Sequence, residues 1–239
     1  MKGSQAVIKC LKENGVDTIF GYPGGMILPL FDALGQDNSI NFILNTHEQS
    51  AAHAADGYAR ASGRPGVCIA TSGPGATNLV TGIATAFMDS VPMVVITGQV
   101  ETNLLGKDSF QETDVFGITM PVTKHNFKLR DSQELIPILR TAFKLATSGR
   151  KGPVLVDIPK DIFLSDVVYP EVKHLDKIEA KPDADFLICA AEAIDEILLA
   201  KKPVIIAGGG VVLGEAHEEL IAFAEKYNLP VVSTLMGIG

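Results

Sequence analysis

Asn45-Thr46-His47-Glu48-Gln49-Ser50-Ala51-Ala52-His53-Ala54-Ala55-Asp56-Gly57-Tyr58-Ala59-Arg60 is the stretch on which the reading of the fold turns. It follows an apolar run, residues 40–44, and has the spacing of a helix. Thr46 is a good N-cap and Thr46-x-x-Gln49 has the form of a capping box, which places Glu48 in the first turn. Positions 48, 51, 52, 55 and 59 share one helical face, and apart from Glu48 that face is all alanine, so another backbone can come close to it. A first-turn glutamate also complements the helix dipole, but such a residue ordinarily faces water. Glu48 instead lies in line with alanines that must be buried, and a carboxyl group on a packing face marks a candidate functional site.

Two glycine-rich corners flank this helix in sequence. On the amino-terminal side, a helix from about Ser4, with Val7, Ile8 and Leu11 inward, stops at Asn14-Gly15. A short strand, Thr18 to Phe20, then opens into Gly21-Tyr22-Pro23-Gly24-Gly25, followed by a helix over 26–34. By itself Pro-Gly-Gly is also an ordinary strand-to-helix turn. On the carboxyl side, Gly66 to Thr71 is a continuous apolar run of the kind found in a strand covered on both faces, and it ends in Ser72-Gly73-Pro74-Gly75-Ala76-Thr77-Asn78. Open parallel sheets bind ligands beyond the carboxyl ends of their strands, so the two corners, with Glu48 at a third, outline one crevice. Neither corner is a Walker loop or a G-x-G-x-x-G turn, and neither is read as a nucleotide phosphate cradle.

Another buried strand, 91–97, gives way to a polar loop over 98–113 that contains Lys107-Asp108-Ser109-Phe110-Gln111-Glu112; loops of that length are usually functional. Asp131-x-x-Glu134 caps a periodic helix with Leu135, Ile136, Leu139, Phe143 and Ala146 inward, closed by Ser148-Gly149, and a strand over 154–158 follows. The expected first domain, residues 1–165, is a doubly wound α/β unit with a mostly parallel sheet of some six strands. Residues 166–184 shift to Lys, Glu, Asp and Pro and read as a linker. Residues 185–239 begin a second α/β domain: a helix over 185–200, a strand over 203–207, the turn Gly208-Gly209-Gly210, a helix over 216–227 and a strand over 229–232. These elements are too few for an independent core, so the chain is expected to be a fragment or to need a partner.

Composition narrows the function classes. The 239 residues are 46% hydrophobic and 20% charged, enough for one full core. No apolar run is long enough to cross a bilayer and the chain opens without a signal-peptide core, so a cytoplasmic protein without membrane contact is expected. Cys10, Cys68 and Cys189 sit far apart in apolar patterns and read as reduced core thiols, not as a disulfide or zinc set. A net charge of -8 without a Lys/Arg cluster, and an aromatic content of 6%, argue against nucleic-acid binding.

Five ordered motifs together resemble a known family: Phe20-Gly21-Tyr22-Pro23-Gly24-Gly25, His47-Glu48-Gln49, Ala55-Asp56-Gly57-Tyr58-Ala59-Arg60, Thr71-Ser72-Gly73-Pro74-Gly75-Ala76-Thr77-Asn78 and Phe110-Gln111-Glu112. The chain is similar, across essentially its whole length, to the large catalytic subunit of acetohydroxyacid (acetolactate) synthase. That family uses thiamine diphosphate in branched-chain amino-acid biosynthesis. The resemblance implies a pyrimidine-binding first domain, a second domain carrying FAD, and active sites shared between subunits of a homodimer or larger assembly, with a regulatory small subunit as a further partner. It implies pyruvate and a second 2-ketoacid as substrates, condensed after one decarboxylation.

The same resemblance implies roles for individual residues. Glu48 is expected to hydrogen-bond the cofactor's aminopyrimidine ring and to take part in proton transfer, in a dry pocket where water does not compete. Tyr22, Gly24 and Gly25 resemble the loop approaching the pyrimidine; Thr71, Pro74 and Asn78 resemble its side walls. Gln111 resembles a glutamine near the reacting carbon, Phe110 its apolar neighbour, and Lys160 a lysine at the substrate entrance. Arg150 with Gly208, Gly209 and Gly210 resembles part of an FAD site. Met26 and Glu101-Thr102-Asn103 depart from the family pattern and leave the second ketoacid open. No Gly-Asp-Gly followed by Asn is present, so no metal ligand is assigned in this segment and the magnesium that holds the diphosphate is expected to be bound elsewhere. Two other readings stand beside this one: another thiamine-diphosphate enzyme, such as a pyruvate oxidase or 2-ketoacid decarboxylase, and a non-catalytic assembly module.

Overall fold

A computed structural model describes residues 1–171 and 183–238, which fall into two compact units. The first unit carries α1 (Gly3–Glu13), β1 (Thr18–Gly21), α2 (Leu28–Gly35), β2 (Asn41–Leu44), α3 (Glu48–Ser62), β3 (Gly66–Ala70), α4 (Pro74–Asn78), α5 (Val80–Met88) and β4 (Met93–Gln99). It continues with α6 (Val115–Thr119), β5 (His125–Lys128), α7 (Leu135–Thr147), β6 (Pro153–Pro159) and α8 (Lys160–Leu164). Its six strands form one sheet in the order β2-β1-β3-β4-β6-β5, with every pairing parallel. Chain order reverses across the β1/β3 pair, and the two glycine-rich corners leave the sheet from the carboxyl ends of those two strands.

Alternation along the central strands divides the core in two. Val67, Ile69, Val94, Ile96, Val154, Val156 and Ile158 pack with residues of α1, α2 and α7. Cys68, Ala70, Met93, Val95 and Leu155 face α3 and α5. The alanine face of α3 is buried as expected, and glycines meet it: a Cβ on Gly66 would lie 2.1 Å from the Ala55 carbonyl oxygen, and one on Gly82 would lie 2.4 Å from the Ala52 Cβ. The small residues thus bring α3 close to β3 and α5, and Glu48 is carried in with them.

The helix N-cap differs from the expectation. His47, with extended backbone, caps α3 in place of Thr46: its Nδ1 accepts from the Gln49 amide at 3.1 Å, making Glu48 the first helical residue. Strand β5 lies outside the elements read from sequence, since His125-Asn126-Phe127-Lys128 shows no apolar alternation. Asn126 is nonetheless buried, because its Nδ2 donates to the Phe116 carbonyl (2.6 Å) and to Thr119 Oγ1 (3.0 Å). Just before β5, the Lys124 ammonium donates to the carbonyls of Leu145 and Ser148 at the end of α7, and burial pushes its pKa down. Lys124→Met is expected to lower stability by about 1–2 kcal/mol by orphaning those carbonyls, read as a shift in the urea midpoint.

The first unit runs past Ser165, the boundary read from sequence. Val167 donates its amide to the Met1 carbonyl at 2.9 Å, and Arg140 donates to the Pro170 carbonyl at 3.1 Å, so residues 166–170 lie against α1 and α7. Most of the linker read over 166–184 lies outside the described residues. The second unit has α9 (Ala184–Leu199), β7 (Ile205–Ala207), α10 (Gly209–Leu213), α11 (His217–Tyr227) and β8 (Val231–Ser233), with β7 and β8 parallel. Among its described residues only Ala207 and Ala224 are buried. Cys189, read as a core thiol, is exposed, because the apolar residues of α9 are themselves uncovered; Cys10 and Cys68 are buried, and burial pushes both thiols up to about 12. No described helix is long and apolar enough to cross a membrane.

Candidate active site at the carboxyl ends of the strands

Glu48 is 9% exposed at the start of α3. Asn78, the last residue of α4, donates its Nδ2 to Glu48 Oε2 at 2.9 Å. Oε1 has no donor among the described residues and lies 3.3 Å from where a Gly75 Cβ would stand. Thr71 ties the two corners together. Its Oγ1 accepts from the Met26 amide at 3.2 Å, and its Cγ2 would lie 2.5 Å from a Cβ on Gly24 and 2.7 Å from one on Gly75. The result is a carboxylate with one oxygen anchored and one available, beside backbone that carries no side chains. Asn45 Oδ1 and Ser72 Oγ, at the ends of the segments leading into α3 and α4, are buried without a partner among the described residues. They carry polar capacity that sequence patterning does not flag.

The long loop meets the same corner. Gly73, with φ 58° and ψ -122°, is packed so closely that a Cβ there would lie 2.7 Å from the Gln111 carbonyl oxygen. Gln111 is half-buried and has φ 59°, whereas Phe110 beside it is 82% exposed. Glu112 organises the turn: its carboxylate accepts from the amides of Gly106, Lys107 and Ser109, and these bonds hold its pKa below the ordinary range. Glu112→Gln replaces one accepting oxygen by a donor. Amide exchange at Ser109 is expected to quicken about tenfold with little change in the global unfolding midpoint, measured by hydrogen exchange and mass spectrometry.

The structure therefore brings Glu48, Asn78, Thr71, Gly24, Gly75 and Gln111 into one neighbourhood. Tyr22 and Gly25 are exposed on the same first corner, and Pro74 is the exposed first residue of α4. Lys160 starts α8 directly after β6, also at the carboxyl edge of the sheet. Arg150 is elsewhere. It precedes β6, and its Nε donates to Ser90 Oγ (2.8 Å) just ahead of β4, at the amino edge of the sheet. In the second unit Gly208 joins β7 to α10, which Gly209 and Gly210 begin; a Cβ on Gly209 would meet Met236 at 3.1 Å, whereas Gly210 has open space. Among the described residues no group of three His, Cys, Asp or Glu side chains could hold a metal ion.

The pattern of the family described as "Thiamine pyrophosphate enzyme, N-terminal TPP binding domain" matches residues 1–118, and that of "Thiamine pyrophosphate enzyme, central domain" matches residues 190–239. The acetolactate synthase large subunit of Corynebacterium glutamicum is 53% identical over 100% of this chain and 38% of its own length. That of Parasynechococcus marenigrum is 52% identical over 100% and 40%, and that of Lactococcus lactis 49% identical over 99% and 41%. The chain thus spans about two fifths of the length of the curated relatives it matches. With the first domain pattern over the doubly wound parallel sheet and the second, in chain order, over the second unit, the chain belongs to the thiamine pyrophosphate enzyme family.

Proposed function

We propose that this chain supplies the pyrimidine-binding half of an acetolactate synthase active site, acting on pyruvate and a second 2-ketoacid. The observation that carries the reading is the Glu48 carboxylate, buried on an alanine face, with Asn78 on one oxygen and glycine backbone beside the other. Bound thiamine diphosphate supplies the carbanion chemistry of decarboxylation and carbon–carbon bond formation. The protein's part is positioning and proton control. Asn78 fixes Oε2, so Oε1 is the atom of this chain that would hold a proton toward a ring nitrogen of the aminopyrimidine when the cofactor is bound. Gly24 and Gly75 make way for the Thr71 side chain, which packs against both corners beside Glu48 Oε1, and Tyr22, Gly25 and Pro74 complete the wall on which the pyrimidine would lie. Gln111 serves the reacting carbon from the loop, and Phe110 and Lys160 stand toward the substrate entrance.

The finer parts of the reading follow the family. Magnesium and the diphosphate are held by sequence outside these residues, sites form between subunits of a homodimer or larger cytoplasmic assembly, and a regulatory subunit is a further partner. FAD is assigned to the second domain, where the open backbone at Gly210 supports an approach. The test is product analysis on the protein of natural length carrying this sequence, supplied with pyruvate, thiamine diphosphate, Mg2+ and FAD. Acetolactate as the main product is expected. Peroxide or acetaldehyde in its place would move the assignment to an oxidase or decarboxylase, and no turnover would favour the assembly module.

A further inference from the structure

Behind the Gln111 loop lies a buried polar chain that the proposed chemistry does not use. Asp157, in β6, is 0% exposed. Its Oδ1 accepts from Thr97 Oγ1 at 2.7 Å and its Oδ2 from Gln99 Nε2 at 2.9 Å. Gln99 Nε2 also donates to the Thr113 carbonyl at 3.1 Å, and Gln99 Oε1 accepts from the Val100 amide at 2.9 Å. Every polar group of the Gln99 side chain is therefore engaged. At the other end of the loop, the Asp161 carboxylate accepts from the Thr102 amide at 3.1 Å and from its hydroxyl. Both ends of the loop thus hang from β6 and the start of α8, with Gln111 between them against Gly73.

We propose that Gln99, held by Asp157, is a positioning residue that sets the place of Gln111 through the Thr113 carbonyl. The proposal rests on the reading that Gln111 serves the reaction. A polar chain is an expensive way to stabilise a sheet whose neighbouring positions are Val, Ile and Leu, since apolar residues of similar volume usually do as well or better. What apolar residues cannot do is fix one carbonyl of a polar loop at one distance. Burial pushes the Asp157 carboxyl up to about 6, against the pull of its Thr97 and Gln99 bonds and of Lys128 on β5, with Asp114 adding to the rise. Its two oxygens accept on both sides, which orients the Gln99 amide so that its remaining N–H points to Thr113.

The test compares Gln99→Glu, Asp157→Asn and the double variant in the natural-length protein. Gln99→Glu sets two carboxylates against each other and is expected to lower the unfolding midpoint, whereas Asp157→Asn can keep its oxygen on Gln99 Nε2 and donate its amide to the Thr97 hydroxyl, and is expected to lower it less. In the double variant the new amide at position 157 donates to the new carboxylate at position 99, Thr97 keeps its bond and Val100 keeps its acceptor; the Thr113 carbonyl loses its donor and faces a carboxylate oxygen instead. Stability should return toward wild type, while amide exchange over residues 109–114 stays about fivefold faster or more, the loss of one such bond. Turnover should fall with it, while KM for pyruvate changes less than kcat. A double variant with wild-type loop exchange would overturn the anchor. Fast exchange with normal turnover, where Gln111→Ala is impaired, would overturn the positioning role. Normal turnover in Gln111→Ala itself would sink the reading of Gln111, and with it the purpose proposed for Gln99.

Discussion

Glu48→Gln is expected to lower turnover by about 10²- to 10⁴-fold, the range of a lost acid–base group, and to leave the fold in place. The two side chains have the same shape, so the alanine face of α3 packs as before and the unfolding midpoint should move by less than about 1 kcal/mol equivalent. Asn78 decides which way the new amide turns. Its Nδ2 needs an acceptor, so the glutamine oxygen takes the place of Oε2 and the NH2 group takes the place of Oε1. A donor that cannot take up a proton then faces the site where an acceptor stood. Steady-state turnover of pyruvate, with circular dichroism and thermal unfolding on the same sample, checks both halves of the expectation. Turnover within tenfold of wild type would remove Glu48 from the mechanism.

That prediction is reachable from sequence because its ingredients are periodic. Alanines at 51, 52, 55 and 59 announce a face that must be buried, and any residue in line with them inherits that burial. Glycine-rich ends of apolar runs likewise announce strand-to-helix corners, and a parallel sheet gathers such corners at one edge. The glycines that receive the alanine face, Gly66 and Gly82, carry no such signal: each matters only because of a backbone or methyl group on another element. The same holds for polar burial. Thr97, Gln99 and Asp157 meet across neighbouring strands β4 and β6, and nothing in either strand's pattern names its partner. Asn126 conceals β5 for that reason, since its amide is satisfied by carbonyl and hydroxyl groups of a helix that hydropathy cannot pair with it. Phe110-Gln111-Glu112 sits between these cases. The loop is visible as an improbable length of polar chain, but the carboxylate of Glu112 that shapes it, and the Gly73 contact that seats it, appear only in three dimensions.

Gly73→Ala should show how tightly loop and corner are coupled. At φ 58° and ψ -122° the backbone occupies a region that an L-alanine enters only with strain, on the order of 1–3 kcal/mol. The added methyl would also stand 2.7 Å from the Gln111 carbonyl oxygen and 3.0 Å from its Cα. These are backbone atoms, so no side-chain rotation relieves the overlap. Either the corner rearranges, disturbing α4, whose Thr77 amide donates to the Gly73 carbonyl at 3.0 Å and whose last residue, Asn78, holds Glu48, or the loop withdraws and takes Gln111 with it. Both routes reach the site. The expected result is a stability loss of about 2–4 kcal/mol in denaturant unfolding, from strain and overpacking together, and a fall in turnover of about 100-fold or more. Hydrogen exchange separates the routes: faster exchange over residues 109–114 alone marks a withdrawn loop, whereas faster exchange at residues 74–79 marks a rearranged corner. Gly25→Ala is the control, because Gly25 has nothing within 4 Å of its Cβ position. That variant should unfold as the wild type does. If Gly73→Ala did the same and kept its turnover, the close seating of Gln111 on the corner would be dispensable, and the polar chain behind the loop would have nothing to position.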